Sequence, residues 1–313
     1  MIISASRRTD IPAFYSDWFM KRIEAGHCDV PNPFNPTQVT KVSLEPEDVE
    51  VIVFWTRNAS PLLPHLKELE LKGYRYYFLC TLMDNPRAMD PTCPSLKEGL
   101  ATFKALSDSL GPERVIWRYD PIVFSDETDA DFHKKTYEHI ARHLQGYTRR
   151  SIISLVTIYR KARQRLTALR QAGIELMECE GEAFVDLMTL LASVGRESGM
   201  TVLSCGQERN LTPYGISPGK CIDDGLIREV FGLEVSSKKD PSQRKTCGCV
   251  ISKDIGMYDT CLCGCVYCYA TKSLEKAKEN YRRHDPETPS LLPVDKTPAK
   301  IRSTKFEIRN NLK

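Results

Sequence analysis

The sequence predicts an α/β fold with a parallel sheet, on the strength of three observations. Six short apolar runs occur in the first two thirds of the chain. Segments with apolar residues at helical spacing follow these runs. Polar side chains stand at the ends of several runs, where parallel sheets bind their ligands. Repeated strand–helix units favour right-handed crossovers, in either an open sheet or a partial barrel.

The predicted elements follow one another along the chain. The first strand is Ile2–Arg7, and Asp10 and Pro12 form the N-cap and first turn of a helix that extends to Gly26. Val51–Trp55 is apolar throughout, as in a strand that is buried on both faces. The remaining strands are predicted at residues 74–82, 115–117, 151–158 and 201–205, and the helices between and after them at 62–71, 95–110, 129–144, 161–171 and 182–197.

Composition divides the 313 residues into three regions. Residues 1–207 contain the strand–helix units and form the predicted partial barrel. Residues 208–272 are rich in Gly, Pro, Asp and Cys, and we expect them to pack on the rim of the barrel. Residues 273–313 are predicted to form an amphipathic helix followed by a basic tail.

Charge and hydropathy limit the partners and the compartment. The formal net charge is only +3, which makes no strong electrostatic case for a nucleic-acid partner. No apolar run approaches the ~18 residues of a membrane helix, so no membrane partner is expected. The N-terminus has the pattern of a strand and not of a signal peptide. Twelve cysteines without a secretory signal predict a cytoplasmic protein in which metal binding or catalysis is favoured over disulfides.

The stretch Thr260–Ala270, which we call the cysteine loop, carries the strongest functional signal. Cys261, Cys265 and Cys268 have the spacing C-x3-C-x2-C, and Cys263 stands between the first two. Thiolates at such short spacings hold iron–sulfur clusters, and three of them on a [4Fe–4S] cubane leave one iron open to a non-protein ligand. The alternative is a zinc knuckle or ribbon, in which Cys263 supplies the fourth ligand.

Four further cysteines lie in the same half of the chain. This four-cysteine group consists of Cys205, Cys221, Cys247 and Cys249. Four thiolates form a complete ligand set, so we expect a second, fully ligated [4Fe–4S] cluster there. A structural zinc suits the same set, and free buried thiols are the third possibility. The cysteines that are isolated in the sequence are expected to be structural: Cys28, Cys80, Cys93 and Cys179.

The spacing of the cysteine loop, with Tyr267 directly before Cys268, resembles the signature of the radical S-adenosylmethionine (SAM) enzymes. The resemblance implies that SAM binds the open iron through its amino and carboxylate groups and is cleaved to methionine and a 5′-deoxyadenosyl radical. It implies the partial (β/α)6 TIM-like barrel of those enzymes and an electron donor such as flavodoxin or ferredoxin. It also makes Tyr267 a candidate cofactor-binding residue.

Polar residues at the predicted strand ends could complete a SAM site on one rim of the sheet. Arginine suits the SAM carboxylate, and carboxylate side chains can accept hydrogen bonds from its amino group or ribose hydroxyls. The candidate catalytic residues are Asp10, Arg118 and Asp120, and the other candidate cofactor-binding residues are Arg7, Arg8, Thr56, Asn58 and Ser154. Alternatively, Arg118 and Asp120 form a buried ion pair, and Arg7 and Arg8 form a solvated strand end. The Gly-Gly-Glu run that binds the SAM amino group in many radical SAM enzymes is missing after the second strand.

Over roughly residues 1–275, the chain also resembles a bacterial family of unknown function, domain of unknown function 1848. The matching stretches are residues 4–12, 54–56, 117–121 and 247–270. Residues 264–270 are similar to the cluster loop of the spore photoproduct lyase-like branch of radical SAM enzymes, which implies a link to nucleic acid repair.

The sequence therefore predicts an iron–sulfur, SAM-dependent radical enzyme that acts on an unknown small-molecule or nucleic-acid substrate. In most radical SAM proteins the cysteine loop follows the first strand, whereas here it follows the sixth. We therefore predict a rearranged domain in which the cysteine loop lies over the C-terminal ends of the strands. The alternative is a non-enzymatic zinc or iron–sulfur protein that contacts nucleic acid through its Cys-rich region and basic tail.

Overall fold

The computed structural model describes residues 1–294 and contains an eight-stranded sheet in which all neighbouring strands are parallel. The strands of the chain are β1 (Ile2–Ala5), β2 (His27–Asn32), β3 (Asn35–Ser43), β4 (Val51–Thr56), β5 (Tyr76–Thr81), β6 (Val115–Ile122), β7 (Arg150–Leu155), β8 (Thr201–Ser204), β9 (Ser217–Pro218) and β10 (Lys253–Asp254). Across the large sheet their order is β10-β1-β4-β5-β6-β7-β8-β9. The predicted α/β fold with a parallel sheet is therefore confirmed.

Helices connect the successive strands of the sheet. They are α1 (Ile11–Phe14), α2 (Ser16–Glu24), α3 (Leu66–Leu71), α4 (Leu96–Leu110), α5 (Ala130–His143), α6 (Arg160–Leu169), α7 (Gly181–Glu197), α8 (Asp224–Phe231) and α9 (Leu274–Arg282). Side-chain caps explain several of the starts: Ser95 and Glu98 form a capping box on α4, and Asp129 caps α5. These caps satisfy backbone N–H groups that otherwise lack a partner in the first turn.

An antiparallel hairpin formed by β2 and β3 was not predicted from the sequence. Its strands flank the stretch Pro31–Pro36, which contains three prolines and no regular alternation. Most of β3 is exposed, so burial supplies no apolar pattern that would mark it as a strand. The predicted helix to Gly26 also ends earlier, at Glu24, where this hairpin begins to form.

The two faces of the sheet have different coverings. One face carries side chains such as Phe54 and Trp117, which belong to the main core together with residues of α1–α5 and α7. The opposite face carries Val53 and Tyr77, which pack with α8 and with the four-cysteine group. Successive side chains of a strand point to opposite faces, so each strand supplies apolar side chains to the cores on both faces of the sheet.

The Cys-rich region is continuous with the sheet. It supplies β9 at one edge and β10 at the other, where Ser4 of β1 is paired with Asp254. The Asp254 carboxylate accepts hydrogen bonds from the Ser4 hydroxyl, at 3.0 Å, and from the Arg7 backbone N–H, at 2.8 Å. The chain therefore enters the cysteine loop from the C-terminal end of a strand that lies beside β1.

The C-terminal part of the chain was predicted to form a helix and a basic tail. The predicted amphipathic helix after residue 272 is α9, whereas the predicted basic tail beyond residue 294 lies outside the described residues. Between residues 1 and 294, no helix combines the length and the apolar character needed to cross a membrane.

Candidate metal centre

The cysteine loop lies over the C-terminal ends of neighbouring strands. The Tyr269 hydroxyl donates to the carbonyl oxygen of Arg7, directly after β1, at 2.8 Å. Arg57, directly after β4, donates to the Tyr267 hydroxyl at 2.5 Å. The Val266 N–H donates to the carbonyl oxygen of Met89, in the loop after β5, at 3.0 Å. Ligands of parallel α/β sheets bind at this edge, so the loop occupies the usual place for a functional site.

Arg165 on α6 holds the cysteine loop in shape. Its guanidinium donates to the backbone carbonyl oxygens of Val266, Cys268, Thr271 and Lys272. A guanidinium has five N–H donors in a rigid plane, so one side chain can satisfy several carbonyls of a tight loop. The side chain thus fixes the second half of the loop, although no pattern in the sequence singles it out.

Thiols of the cysteine loop lie close to Cys93. Interactions with the Cys261, Cys265 and Cys93 thiols, together with burial, raise the pKa of the Cys263 thiol. The Cys93 and Cys265 sulfurs lie 3.8 Å apart. The predicted ligand Cys268 lies within electrostatic reach of Cys261 and Cys265, and burial together with these two thiols raises its pKa to about 12. A metal ion favours the thiolate form of such groups, so binding displaces their protons.

A buried polar group lies beside these thiols. The Tyr267 hydroxyl donates to the Asp90 carboxylate at 2.6 Å, and the Arg57 guanidinium contacts the same carboxylate at 3.2 Å. Burial raises the pKa of Asp90 to about 6, and the charge of Arg57 opposes this shift. One ligand atom from each of Asp90, Cys93 and Cys265 lies within 4.8 Å of the other two. This group offers a metal ion one carboxylate and two thiolates.

Asp10, a predicted catalytic residue, accepts hydrogen bonds from backbone N–H groups in the structure. One of its oxygens accepts from the Ala13 N–H at 3.0 Å and caps α1, and the other accepts from the Arg57 N–H at 2.7 Å. Burial raises the pKa of Asp10 to about 7, although these hydrogen bonds oppose the shift. The carboxyl group therefore connects α1 to the residue that supports Asp90.

The four-cysteine group also assembles in space. The Cys205 and Cys221 sulfurs are 3.3 Å apart, and the Cys249 sulfur accepts from the Ile222 N–H at 3.4 Å. Cys249 is hydrogen-bonded in turn to the thiols of Cys221 and Cys247, and these bonds lower its pKa. All four residues are buried in the second core, after the end of β8 and against α8.

Two partly buried arginines lie near this group and beside the same indole ring. The guanidinium carbons of Arg7 and Arg118 lie 5.5 and 4.8 Å from the Trp55 ring centroid. Arg7 interacts electrostatically with Cys249, and Arg118 with Cys221. Among residues 1–294, the buried atoms Arg7 Nη2 and Arg118 Nε have no hydrogen-bond partner. Unpaired buried donors are costly, so they fit a negatively charged metal–thiolate group on Cys205, Cys221, Cys247 and Cys249.

The remaining predicted site residues divide between the two groups. Asp120 forms an ion pair with Arg118 and accepts a hydrogen bond from the Ser154 hydroxyl, near the four-cysteine group. Arg8 lies 3.5 Å from the Asp254 carboxylate. The Thr56 hydroxyl accepts from the Asn58 N–H at 2.9 Å, at the end of β4. The structure therefore does not gather the predicted SAM contacts into one pocket.

A cavity of about 570 Å³ opens beside the cysteine loop. Small-molecule sites in proteins have volumes of about 300–1,000 Å³. The polar and sulfur-containing side chains on its wall are Asn58, Ser60, Thr92, Cys93, Glu98, Thr102 and Cys263. Of the residues predicted to bind SAM, this wall includes Asn58.

The fold and the site define an α/β protein with a parallel sheet and two groups of cysteine thiols at the C-terminal end of that sheet. Within this class, the chain belongs to the family described as a domain of unknown function (DUF1848), whose model matches residues 2–270. The match includes both cysteine groups and the ten strands found among residues 1–294. No curated protein matches the sequence.

Proposed function

We propose that this protein is an iron–sulfur, SAM-dependent radical enzyme. Cys261, Cys265 and Cys268 would hold a [4Fe–4S] cluster with one open iron, which binds SAM and supplies the electron for its cleavage. The proposal rests on the position of the cysteine loop, which follows β10, beside β1, at the C-terminal end of a parallel sheet.

The strand order supports a rearranged radical SAM domain. In the arrangement that the cysteine spacing resembles, the loop follows the first strand of a partial (β/α)6 barrel. Here β10 is the last described strand along the chain, but it lies at the edge of the sheet beside β1. The cysteine loop therefore begins next to the first strand. Helices α1–α5 and α7 contribute to the core on one face of the sheet, as the outer helices of a TIM-like barrel do.

The donor chemistry of both groups supports sulfur-bound metal. Thiolates are soft ligands that favour iron–sulfur clusters and zinc over magnesium or calcium. In the four-cysteine group, the unpaired nitrogens of Arg7 and Arg118 support a bound anion, which a fully ligated second [4Fe–4S] cluster or a structural zinc would provide. A flavodoxin or ferredoxin in the cytoplasm would supply electrons to such an enzyme.

The cavity beside the cysteine loop supports a small-molecule ligand next to the metal. Asn58 and Glu98 provide donors and acceptors on its wall, and Cys263 connects it to the loop. We place SAM in this cavity, and we leave the substrate as an unidentified small molecule or nucleic acid.

The test is anaerobic reconstitution of the full chain with iron and sulfide, followed by addition of dithionite and SAM. We expect 5′-deoxyadenosine and methionine from the wild-type protein. The variant Cys265→Ala should make none, whereas Cys179→Ala, which changes a cysteine outside both groups, should behave as wild type. A protein that binds zinc under these conditions and makes no deoxyadenosine would falsify the proposal.

A non-enzymatic zinc protein that contacts nucleic acid is the second candidate. Two thiolates on one tetrahedral zinc, with Zn–S bonds of about 2.3 Å, lie about 3.8 Å apart. The Cys93 and Cys265 sulfurs have this separation of 3.8 Å. Metal analysis of the purified protein distinguishes the candidates, because the zinc protein contains no iron or acid-labile sulfide.

A further inference from the structure

The segment Met89–Cys93, in the loop after β5, packs along the cysteine loop residue by residue. The Met89 carbonyl accepts from Val266 N–H, and the Thr92 hydroxyl donates to the Leu262 carbonyl at 2.5 Å. A Cβ atom placed on Gly264 would approach Pro91 to 3.1 Å, and the backbone of Gly264 has a positive φ of 69°. Glycine at this position lets the two segments meet closely.

This packing brings the Cys93 thiol to the thiols of the cysteine loop. The Cys93 sulfur lies 3.8 Å from the Cys265 sulfur and 3.8 Å from the Cys263 carbonyl oxygen. Asp90 completes a group of three buried ligand atoms within 4.8 Å of one another. Cys93 is separated by 172 residues from Cys265, so only the fold makes it a neighbour.

Cys93 also lies on the wall of the 570 Å³ cavity, together with Cys263. A small molecule in this cavity lies beside the Cys93 thiol and could therefore reach the same metal as the Cys93 thiolate.

We propose that Cys93 is a fourth thiolate ligand of the metal held by the cysteine loop, and that it yields this position to SAM. The exchange with SAM rests on the proposed function, whereas ligation by Cys93 does not. The exchange is a ligand substitution without a change of oxidation state. The bond from the metal to the Cys93 sulfur breaks, bonds to the SAM amino nitrogen and carboxylate oxygen form, and the released thiolate takes up the proton that the SAM ammonium group loses on binding.

The first test is alkylation of Cys93 in the wild-type protein, measured by peptide mass spectrometry under anaerobic conditions with iodoacetamide. We expect Cys93 to be modified in metal-free protein, protected after reconstitution with iron and sulfide, and modified again when SAM is added. Equal modification with and without metal overturns ligation by Cys93. Protection that persists at saturating SAM overturns the exchange.

The second test uses Cys93→Ser, with Cys179→Ser as the matched control. A cubane iron without a thiolate is the one most easily lost on oxidation, which leaves a paramagnetic [3Fe–4S] cluster. After mild oxidation without SAM, we expect this signal to be several times stronger in Cys93→Ser than in the control. Equal signals in both variants overturn the proposal.

If the loop holds zinc, competition with a chromophoric chelator replaces the oxidation test. Loss of a partner in the shell around the ligands typically costs 10–100-fold in metal affinity, so loss of a ligand should cost at least about tenfold. Unchanged affinity in Cys93→Ser overturns ligation. If the loop holds zinc, a lack of SAM cleavage would refute the proposed radical function. It would not refute ligation by Cys93, because that ligation is measured without SAM.

Discussion

The cysteine loop and the four-cysteine group use the same donor atom in opposite surroundings. The loop is held by polar contacts from several elements, including Arg165 and Arg57, and it adjoins a cavity. The four-cysteine group lies between the sheet and α8 with all four of its cysteines buried, whereas three of the four cysteines of the loop are partly exposed. A metal site that is open to solvent can exchange ligands, whereas an enclosed metal site can at most transfer electrons or stabilise the fold. Under the proposed function, this difference would assign the chemistry to the loop and a structural or electron-transfer role to the four-cysteine group.

The largest expected effect comes from Cys249→Ala. Removal of this thiolate should release the metal of the four-cysteine group and take the neighbouring anion away from the buried atoms Arg7 Nη2 and Arg118 Nε, although the two guanidiniums keep their carboxylate partners Asp240 and Asp120. A hydrogen bond to a charged group contributes about 1.5–3 kcal/mol, so the loss of two should lower the free energy of unfolding by about 3–6 kcal/mol. Denaturant unfolding of metal-loaded protein measures it. A loss no greater than that of Cys265→Ala would remove the distinction between the two groups.

The next effect comes from Arg165→Ala. It removes hydrogen bonds to four carbonyls of the cysteine loop and its C-terminal flank but leaves every thiol in place. We expect the metal of the loop to bind about 10–100-fold more weakly, as for other residues that orient metal ligands. The four-cysteine group should keep its metal. The control is Arg163→Ala, an exposed residue on the same helix, and an equal loss in both variants would count against a positioning role.

The pH dependence of the free energy of unfolding should further distinguish the region of the cysteine loop from that of the four-cysteine group. The pKa of Asp10 is raised by burial to about 7, from 3.8 for the ordinary group. Between these values the folded protein holds a proton that the unfolded chain has released, so stability falls as pH rises through this window. One proton contributes at most about 1.4 kcal/mol per pH unit. Asp10→Asn should flatten the dependence by up to this slope, as followed by denaturant unfolding between pH 4 and 7. An unchanged slope would mean that Asp10 is ionised in the fold.

The smallest expected effect is that of Tyr269→Phe. The Tyr269 hydroxyl donates to the carbonyl oxygen of Arg7, which connects the cysteine loop with an arginine of the four-cysteine group. Loss of one such hydrogen bond costs about 1 kcal/mol. Both metals should remain bound, and Tyr281→Phe, in a partly exposed residue of α9, serves as the control. Loss of either metal from Tyr269→Phe would show that the two regions depend on each other.

The apolar runs predicted the parallel sheet because buried parallel strands need continuous apolar sequence. The same reasoning could not find β10, which has two residues and is held by the contacts of Asp254. The hairpin of β2 and β3 was missed because its prolines and exposed residues carry no burial pattern.

The sequence could group only those candidate ligands that are close together along the chain. The spacing of the cysteine loop identified a dense group of thiols, and the structure places it at the predicted edge of the sheet. Cys93 was expected to be structural because no cysteine lies near it in the sequence. Its position in the loop after β5, at the edge where ligands bind, was the one available signal. The predicted SAM contacts are dispersed because strand ends share an edge of the sheet without sharing a pocket.

The pairing of β10 with β1 has a consequence for biosynthesis. Ser4 and Asp254 are 250 residues apart, and ribosomes add about 5–20 residues per second, so the outer edge of β1 stays unpaired for roughly 10–50 s. An open strand edge is a template for aggregation during that time. The segment that closes this edge leads directly into the cysteine loop. Protection of the nascent sheet and, under the proposed function, acquisition of the metal would therefore both depend on the same late part of the chain.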